Sequence, residues 1–465
     1  MEVLGIIISL LLLMFFAYKG FSVIYLAPIF ALMAAVSQGL SPLPAYTELF
    51  MGKAVGFVKV FLPVFVLGAM FGKVMEDTGM AKSIAKFITE KLGEKYTIIA
   101  IVLTGAFVTY GGMNGLVAGF AVYPIAANLF RQANWPKRFI PATMFLGFGT
   151  ATMDALPGTL QHINIIATFY WGTTVYAAPV IGTIGGVAIL GIGIFWINHR
   201  IKKAVAKGEG YGTGHINETE LSEDVKLPNF FLSILPLFIV IGLNFVLTVL
   251  VKWDPTMLDP YIAMKLPLVT TKISSILAVW ALTTAEVVAI IVALVIGWGN
   301  ISKTGVSKAL NAGAIGSLLA VLNVASEVGY GNVISALPGF KSVATFLLGI
   351  SFGGSPLMSE AVTITTLAGM SGSAAGGMVI SLELMGKQWL AMAQQTGLSP
   401  EILHRIGCMA AGGMDTLPHN GGIITLLAIC GLTHKQSYPD IFFMTVMKTG
   451  IAFVMMGFAV VTGLV

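Results

Sequence analysis

Charged residues are scarce in this sequence, and only one segment is clearly hydrophilic. Asp, Glu, Lys and Arg make up 10% of the 465 residues, whereas soluble domains carry about 25%. Hydrophobic residues reach 56%, and the mean hydropathy is +0.89. Such a chain cannot cover its surface with hydrated groups. The composition excludes an ordinary soluble protein and predicts an all-α polytopic protein in a lipid bilayer.

Cysteine is equally rare, since Cys408 and Cys430 are the two copies and both lie in apolar segments. Neither a disulfide framework nor a metal-ligand spacing follows from them, so we expect no cofactor and no metal other than a transported ion, with sodium possible. The net charge of +5 lies mostly in predicted loops and argues against nucleic-acid binding. Residues 3–16 lack a basic leader and a cleavage site, which favours a retained first span.

Apolar stretches of roughly 20 residues can cross the hydrocarbon layer. The predicted crossings are 1–18, 21–38, 54–75, 139–170, 174–197, 230–252, 275–298, 312–327, 400–430 and 441–463. Prolines interrupt 139–170 and 400–430, which predicts two broken helices. Regions 96–130 and 358–395 are apolar but split by glycines, which predicts two re-entrant helical hairpins. The amphipathic stretch Met80–Leu92 predicts an interfacial helix.

The hydrophilic segment 199–229 divides the chain almost in half. We expect a first unit at 1–198, a cytoplasmic linker at 199–229 and a second unit at 230–465. With the linker in the cytoplasm, cytoplasmic loops hold 17 of the 26 basic residues. Seven, including Arg405, lie outside, and Lys59 and Lys448 fall inside spans. This bias predicts ten crossings, with both termini on the periplasmic side of a bacterial inner membrane.

Three features recur in order along the two units. Glu76 pairs with Glu327 at an offset of 251 residues, TYGGMNG (109–115) with SAAGGMV (373–379) at 264, and MDALPGT (153–159) with MDTLPHN (414–420) at 261. Three matches at nearly one offset indicate a duplicated unit. In the predicted topology one hairpin opens inward and the other outward. This arrangement is an inverted-topology repeat, which is typical of secondary transporters.

Broken helices leave unpaired N–H and C=O groups at membrane depth, and such backbone persists only beside a cavity or a ligand. No Lys or Arg occurs at 139–198 or 342–386, so we expect N–H and hydroxyl dipoles to hold an anionic substrate. The alternative for the glycines is close packing. The candidate substrate-binding residues are Thr109, Gly111, Gly112, Asn114, Thr159, Gln161, Asn164, Ser371, Ser373, Gly376, Gly377, His419 and Asn420.

Asp154 and Asp415 are the strongest individual signals, because a carboxylate at membrane depth is costly and indicates a functional site. Each could instead cap the helix after its break. Glu327 and His419 are further candidates for the coupling ion, although His419 could equally be structural. Glu76, the repeat mate of Glu327, lies nearer the cytoplasmic surface.

The chain resembles the gluconate:proton symporter family of the ion-transporter superfamily, and most of all its beta-hydroxybutyrate permease branch. The resemblance is carried by TYGGMNGLVAGFAVYPIAANLFRQANWPKRFIPATM, TMDALPGTLQHINIIATFYWGTT, ASEVGYGNVISALPGF, GSPLMSEAV, GSAAGG and SPEILHRIGCMAAGGMDTLPHNGGIITLLAICGLTHKQSYPDIF. It implies uptake of a small hydroxy-monocarboxylate by a homodimer with a scaffold domain and a moving transport domain. Its substrate site would lie at the hairpin tips and helix breaks.

Two departures from the branch fall in that site. Leu160, Gln161 and His162 stand where its members tend to have Pro and Gln, and Met113 and Asn114 stand where smaller or β-branched residues are expected. The substrate could therefore differ from beta-hydroxybutyrate.

The sequence thus favours a symporter of a small organic anion, driven by protons or alternatively by sodium, that works by elevator-like alternating access. An intramembrane aspartyl protease with Asp154 and Asp415 as its dyad is a weaker hypothesis, because equivalent positions in inverted repeats are what a transporter explains. A passive channel would not need paired broken helices with embedded carboxylates. We therefore expect a protein that is not an enzyme.

Overall fold

The computed structural model describes residues 2–19, 21–92, 96–113, 115–213, 215, 227–266, 268, 270–273, 276–350, 355–418 and 420–465. Helices joined by short turns make up these residues, so the predicted all-α fold is confirmed. Six of the described helices are long and apolar enough to cross a membrane: Pro42–Asp77, Pro179–Val205, Phe230–Leu250, Leu277–Ile296, Val306–Ala336 and His434–Thr462.

The first half begins with apolar helices and one long helix that starts as a π-helical turn. The helices are α1 (Glu2–Tyr18), α2 (Val23–Ser37), α3 (Pro42–Pro44) with the π-helical turn Ala45–Met51, α4 (Gly52–Asp77) and α5 (Met80–Leu92). Helix α5 coincides with the predicted amphipathic stretch, and Met80, Ile84 and Ala85 on its apolar face are fully buried.

A helical hairpin and a broken helix follow. The hairpin is α6 (Thr97–Tyr110) and α7 (Gly115–Gln132), and the broken helix is the 3-10 turn Lys137–Phe139, α8 (Ile140–Phe148), α9 (Ala151–Asp154) and α10 (His162–Trp171). Gly112 has a φ of 94°, which suits a glycine at the hairpin tip. Pro157 lies in the non-helical stretch before α10, where the chain cannot continue as a helix. Helix α11 (Pro179–Val205) ends this half.

The second half repeats this order of elements. It opens with α12 (Phe230–Phe245), the π-helical turn Val246–Leu250, the 3-10 turn Pro255–Leu258, α13 (Asp259–Ala263), α14 (Leu277–Ile296), α15 (Trp298–Thr304), α16 (Val306–Ala336) and α17 (Phe340–Gly349). The second hairpin is α18 (Leu357–Ser371) and α19 (Ala374–Thr396), the second broken helix is α20 (Pro400–Gly413) and α21 (Gly421–Cys430), and α22 (His434–Thr462) comes last. The order of long helix, short helix, hairpin, broken helix and long helix thus occurs twice, first from α4 to α11 and again from α16 to α22. The boundaries at 198 and 230 stay predictions.

The helices pack in two groups, one around α16 and one around the two broken helices. Helix α16 packs along α4, α2 and α19, while α10 packs on α20 and α11 on α22. Glycines bring these helices close, since a methyl group on Gly313 of α16 would meet the backbone of Met70 on α4. Because α10 packs on α20, the two broken helices lie side by side, one from each half.

The structure corrects two expectations. Arg405, which we placed in an outer loop, is buried in α20 with an exposed fraction of 1%. The predicted span 312–327 is part of the 31-residue helix α16, and the short helix α17 after it was not foreseen.

Candidate functional site

The tips of both hairpins and the breaks of both broken helices surround one cavity of about 280 Å³. Its lining includes the first residues of four helices. They are Gly115 of α7, Gln161 and His162 at the start of α10, Ser373, Ala374 and Ala375 at the start of α19, and Asn420, Gly421 and Gly422 at the start of α21. Phe145, Phe148, Gly149, Met153, Gly372 and Asp415 complete it. Residues separated by up to 307 positions, from Gly115 to Gly422, thus form one small site.

The electrostatics of this cavity favour an anion. The N-terminus of a helix carries partial positive charge and N–H groups without helical partners. Four N-termini around one cavity make a site for a negatively charged group, as in many phosphate and carboxylate sites. Phe145 and Phe148 supply an apolar wall, so a small organic anion with a hydrocarbon part fits the lining.

Side-chain amides tie each break to the hairpin of its own half. Gln161 Nε2 donates to the carbonyl oxygens of Thr109 (2.6 Å) and Met113 (3.2 Å) at the first hairpin tip. Asn420 Nδ2 donates to Gly372 O (2.7 Å) at the second tip, and its Oδ1 accepts from Gly422 N (2.7 Å), which caps α21. Hairpin tip and helix break therefore form one structural unit in each half.

A buried lysine joins the two breaks. Lys448 Nζ of α22 lies 2.7 Å from Asp154 Oδ2 and 2.8 Å from Asp415 Oδ1, and it donates to Gly149 O (3.2 Å). The Lys448 and Asp154 side chains are each 1% exposed and that of Asp415 is 6% exposed. Gly412 of α20 lies against Asp154, where a methyl group would overlap the carboxylate. The two predicted aspartates are thus brought together by a cation.

A second buried network lies beside it. Asn164 Oδ1 contacts His404 Nε2 (2.7 Å) and accepts from Arg405 Nη1 (3.3 Å). The Arg405 guanidinium also donates through Nη2 to the carbonyls of Ala177 (2.7 Å) and Val175 (3.3 Å). This network fastens the end of the first broken helix to α20. Arg405 is therefore occupied by backbone carbonyls and does not line the cavity.

Comparisons with known proteins decide the family. A family model described as GntP family permease matches residues 1–349. The chain is 46% identical over 477 aligned positions to the uncharacterized transporter YxjC of Bacillus subtilis (strain 168), with 100% of both chains covered. The chain belongs to the GntP permease family.

Two further likenesses accompany this membership. The permease is 28% identical to the high-affinity gluconate transporter of Escherichia coli (strain K12) over 192 residues, which are 40% of this chain and 42% of the relative. Its fold resembles the crystal structure of the YdaH transporter of Alcanivorax borkumensis, whose topology is described as unusual. The TM-score is 0.52 and the identity 13%, over 89% of this chain and 88% of the other.

The family membership confirms the coarse functional prediction. This GntP family permease is a multi-pass membrane protein and a secondary transporter of an organic anion. Its relatives are transporters, so the prediction that it is not an enzyme is confirmed and the protease hypothesis is dropped. Within the described residues, no group of three or more His, Cys, Asp and Glu could hold a metal ion.

The other predicted site residues of the permease lie around the cavity or away from it. Thr109 is buried and donates to Gly105 O (2.8 Å), while Thr159 and Asn164 are buried beside the first break. Asn114 and His419 lie outside the described residues. The four predicted glycines are closely packed: Gly111 against Leu237, Gly112 against Leu160, Gly376 against Glu327 and Gly377 against Ala368. Ser371 is the last residue of α18, beside the second hairpin tip.

Glu327 lies in α16, away from the cavity. It lines a separate narrow void with Ser371, and its Oε2 has no hydrogen-bond partner among the described residues. It faces the first turn of α19 at Gly376. Of the three coupling-ion candidates that the structure describes, Asp415 alone lines the cavity, and Asp154 lies against Lys448 outside the lining.

Sequence reasoning missed Lys448, His404 and the cavity-lining role of His162. Lys448 did carry a signal, because a lysine inside an apolar span needs a partner at membrane depth. Arg405 carried a misleading signal, because a basic residue just before an apolar stretch is typical of a loop at the membrane surface. His162 was noted as a departure from the related branch, and the structure places it in the cavity lining.

Proposed function

We propose that the permease is a proton-driven symporter that imports a small hydroxy-monocarboxylate, such as beta-hydroxybutyrate or a sugar acid. The observation that carries the proposal is the cavity at which four helix N-termini meet. Helix dipoles suit a single carboxylate, because they attract an anion without a fixed countercharge that would hold it permanently.

The lining also supports the hydroxy acid and the single charge. Ser373, Gln161, His162 and Asn420 offer hydrogen-bonding groups for a hydroxyl, and the two phenylalanines suit a short carbon chain. Asp415 is the one acidic side chain among the described residues of the lining, and it disfavours a second carboxylate on the substrate. A monocarboxylate therefore fits better than a di- or tricarboxylate.

Alternating access would move the hairpins and broken helices together against α4 and α16. The bonds from Gln161 to the first hairpin and from Asn420 to the second support such motion, because tip and break stay joined. We further propose a homodimer in a bacterial inner membrane with periplasmic termini. The dimer rests on the family resemblance, and the mass of the purified permease in detergent tests it.

The test of the proposed function is uptake of labelled beta-hydroxybutyrate into proteoliposomes, with a pH gradient or a sodium gradient imposed separately. Accumulation driven by the pH gradient, and reduced by unlabelled gluconate or other hydroxy acids, is the expected result. Accumulation that needs sodium would replace the proton as the coupling ion. No accumulation with either gradient would reject beta-hydroxybutyrate, and a screen of other carboxylates would follow.

A further inference from the structure

The buried cluster of Asp154, Lys448 and Asp415 has an arrangement that matches a cation site. The Lys448 ammonium has three N–H groups. Three oxygens surround it, from Asp154 at 2.7 Å, Asp415 at 2.8 Å and the Gly149 carbonyl at 3.2 Å. Two carboxylates and a carbonyl at the ends of broken helices are ligands that an alkali cation also takes. The ammonium therefore lies among oxygens of the kind that also bind an alkali cation.

The charges of this cluster do not balance when both carboxylates are ionised. Two negative charges face one positive charge, which leaves one excess negative charge among almost fully buried groups. An uncompensated charge at membrane depth is unfavourable, and one proton on either of the two carboxylates removes it. Asp154 Oδ1 has no hydrogen-bond partner among the described residues, so an oxygen is available to such a proton.

Neighbouring elements offer no second cation to the cluster within the described part of the chain. On α20, Arg405 donates to the carbonyls of Val175 and Ala177, His404 contacts Asn164, and the Cys408 thiol carries no positive charge. Glu360 of α18 faces Gly407, and His162 lines the cavity at the start of α10. Tyr110 of α6 donates to Pro157 O (2.5 Å). Helices α8 and α9 add no other charge. The basic residues of α11 lie in its last two turns, where Arg200 pairs with Asp440 near the start of α22. Arg138 of the turn Lys137–Phe139 pairs with the same carboxylate.

We propose that Lys448 takes the place of a coupling sodium ion, and that the Asp154–Asp415 pair carries one proton in each transport cycle. Asp415 lines the substrate cavity, so the excess charge of the ionised pair repels the substrate carboxylate. Protonation removes that repulsion, and the anion binds to the protonated form. One proton and one monocarboxylate then cross together, and the cycle moves no net charge.

This inference rests on the proposed symport and adds two requirements, which are independence from sodium and independence from the membrane potential. In sodium-free proteoliposomes the pH gradient must drive accumulation of labelled beta-hydroxybutyrate, and an imposed membrane potential must leave it unchanged. Accumulation that requires sodium, or a current on substrate addition, would overturn the inference while leaving carboxylate transport in place.

Asp154→Asn tests the proton, because it leaves the neutral Lys448–Asp415 pair. Asp154 does not line the cavity, so the variant is expected to lose accumulation driven by the pH gradient and to keep exchange of labelled for unlabelled substrate. Accumulation equal to that of the unmodified permease would contradict the inference. Lys308→Met, at an exposed position of α16, is the matched control for the lysine variant below and is expected to behave as the unmodified permease does.

Lys448→Met tests the cation, and its readout does not depend on knowing the substrate. It leaves two unpaired carboxylates, and sodium is expected to raise the unfolding temperature of the purified variant but not that of the unmodified permease. Lys448→Met combined with Asp154→Asn restores the excess charge to one and is expected to recover the yield of folded protein. Equal responses to sodium in all three proteins would reject the inference, whether or not beta-hydroxybutyrate is transported.

Discussion

Arg405 shows how a charged residue is accommodated in the interior of this permease. Its guanidinium donates to two backbone carbonyls beyond α10 and to Asn164, and the side chain is 1% exposed. The planar fork of arginine can make these bonds at once, whereas the ammonium of lysine cannot match their geometry. Position 405 therefore requires the shape of arginine and not only its charge.

Arg405→Lys is expected to destabilise the permease by about 2 kcal/mol, since charged hydrogen bonds of this kind are lost. Thermal unfolding of the purified protein, followed by tryptophan fluorescence, measures the loss. Lys202→Arg, at an exposed position of α11, is the control and should unfold at the unmodified temperature. Equal unfolding temperatures for both variants would show that the network contributes little.

Gly412→Ala is expected to displace the Asp154 carboxylate, because a methyl group there overlaps it. Overpacking of this kind costs about 1–3 kcal/mol. The unfolding temperature and the initial rate of uptake are both expected to fall. Gly457→Ala in α22 has open space around the added methyl group and serves as the control. An alanine at 412 without effect would mean that α20 and α9 can separate.

The aspartates could be predicted from the sequence, but their cation could not. A carboxylate in an apolar segment is conspicuous wherever it occurs, and the proline beside each one marked the break. Lys448 lies 33 residues from Asp415 and far from Asp154, and pairing over such distances leaves no periodic trace in the sequence. Arg405 was assigned to a loop because burial depends on partners contributed by another helix.

At the scale of single elements, the first residues of α7, α10, α19 and α21 line the cavity, whereas the described central residues of these helices do not. Ser373 and Asn420 cap α19 and α21, glycines lie at the starts of α7 and α21, and α10 contributes Gln161 and His162 to the lining. The hairpins and breaks could be located from the sequence since glycine and proline interrupt long apolar runs there. Helix α17 could not, because ten residues of mixed character are too short to distinguish from a loop.

Asn420→Asp is expected to weaken binding of the anionic substrate, with a KM raised ~10-fold or more, because about 1.4 kcal/mol of repulsion suffices for that change. Aspartate caps a helix as well as asparagine does, so α21 should persist, while loss of the bond from Asn420 Nδ2 to Gly372 O adds to the fall in affinity. Ser399→Asp makes the same kind of change at the N-cap of α20, whose start does not line the cavity. An unchanged KM in Asn420→Asp would place the substrate away from α21.

At the scale of the whole molecule, the predicted orientation can be tested with the two native cysteines in place, because Cys408 and Cys430 are both buried. Lys207→Cys, after α11, is expected to react with a membrane-impermeant maleimide in inverted vesicles and not in intact cells. Thr256→Cys, between α12 and α14, should show the opposite pattern. Both positions are exposed. Labelling of Lys207→Cys from outside would reverse the proposed topology.

The lysine that holds the two breaks together also sets the order in which the site can form during synthesis. Lys448 and the carbonyl of Gly149, which it contacts, are 299 residues apart, so Asp154 enters the membrane long before its partner is translated. Asn164 likewise lacks these hydrogen-bond partners until His404 and Arg405 have been synthesised. A ribosome-bound chain that lacks α22 therefore carries an unpaired aspartate in its first half. The binding site is completed by one of the last helices to leave the ribosome, and until then the nascent chain is a natural target for quality-control proteases.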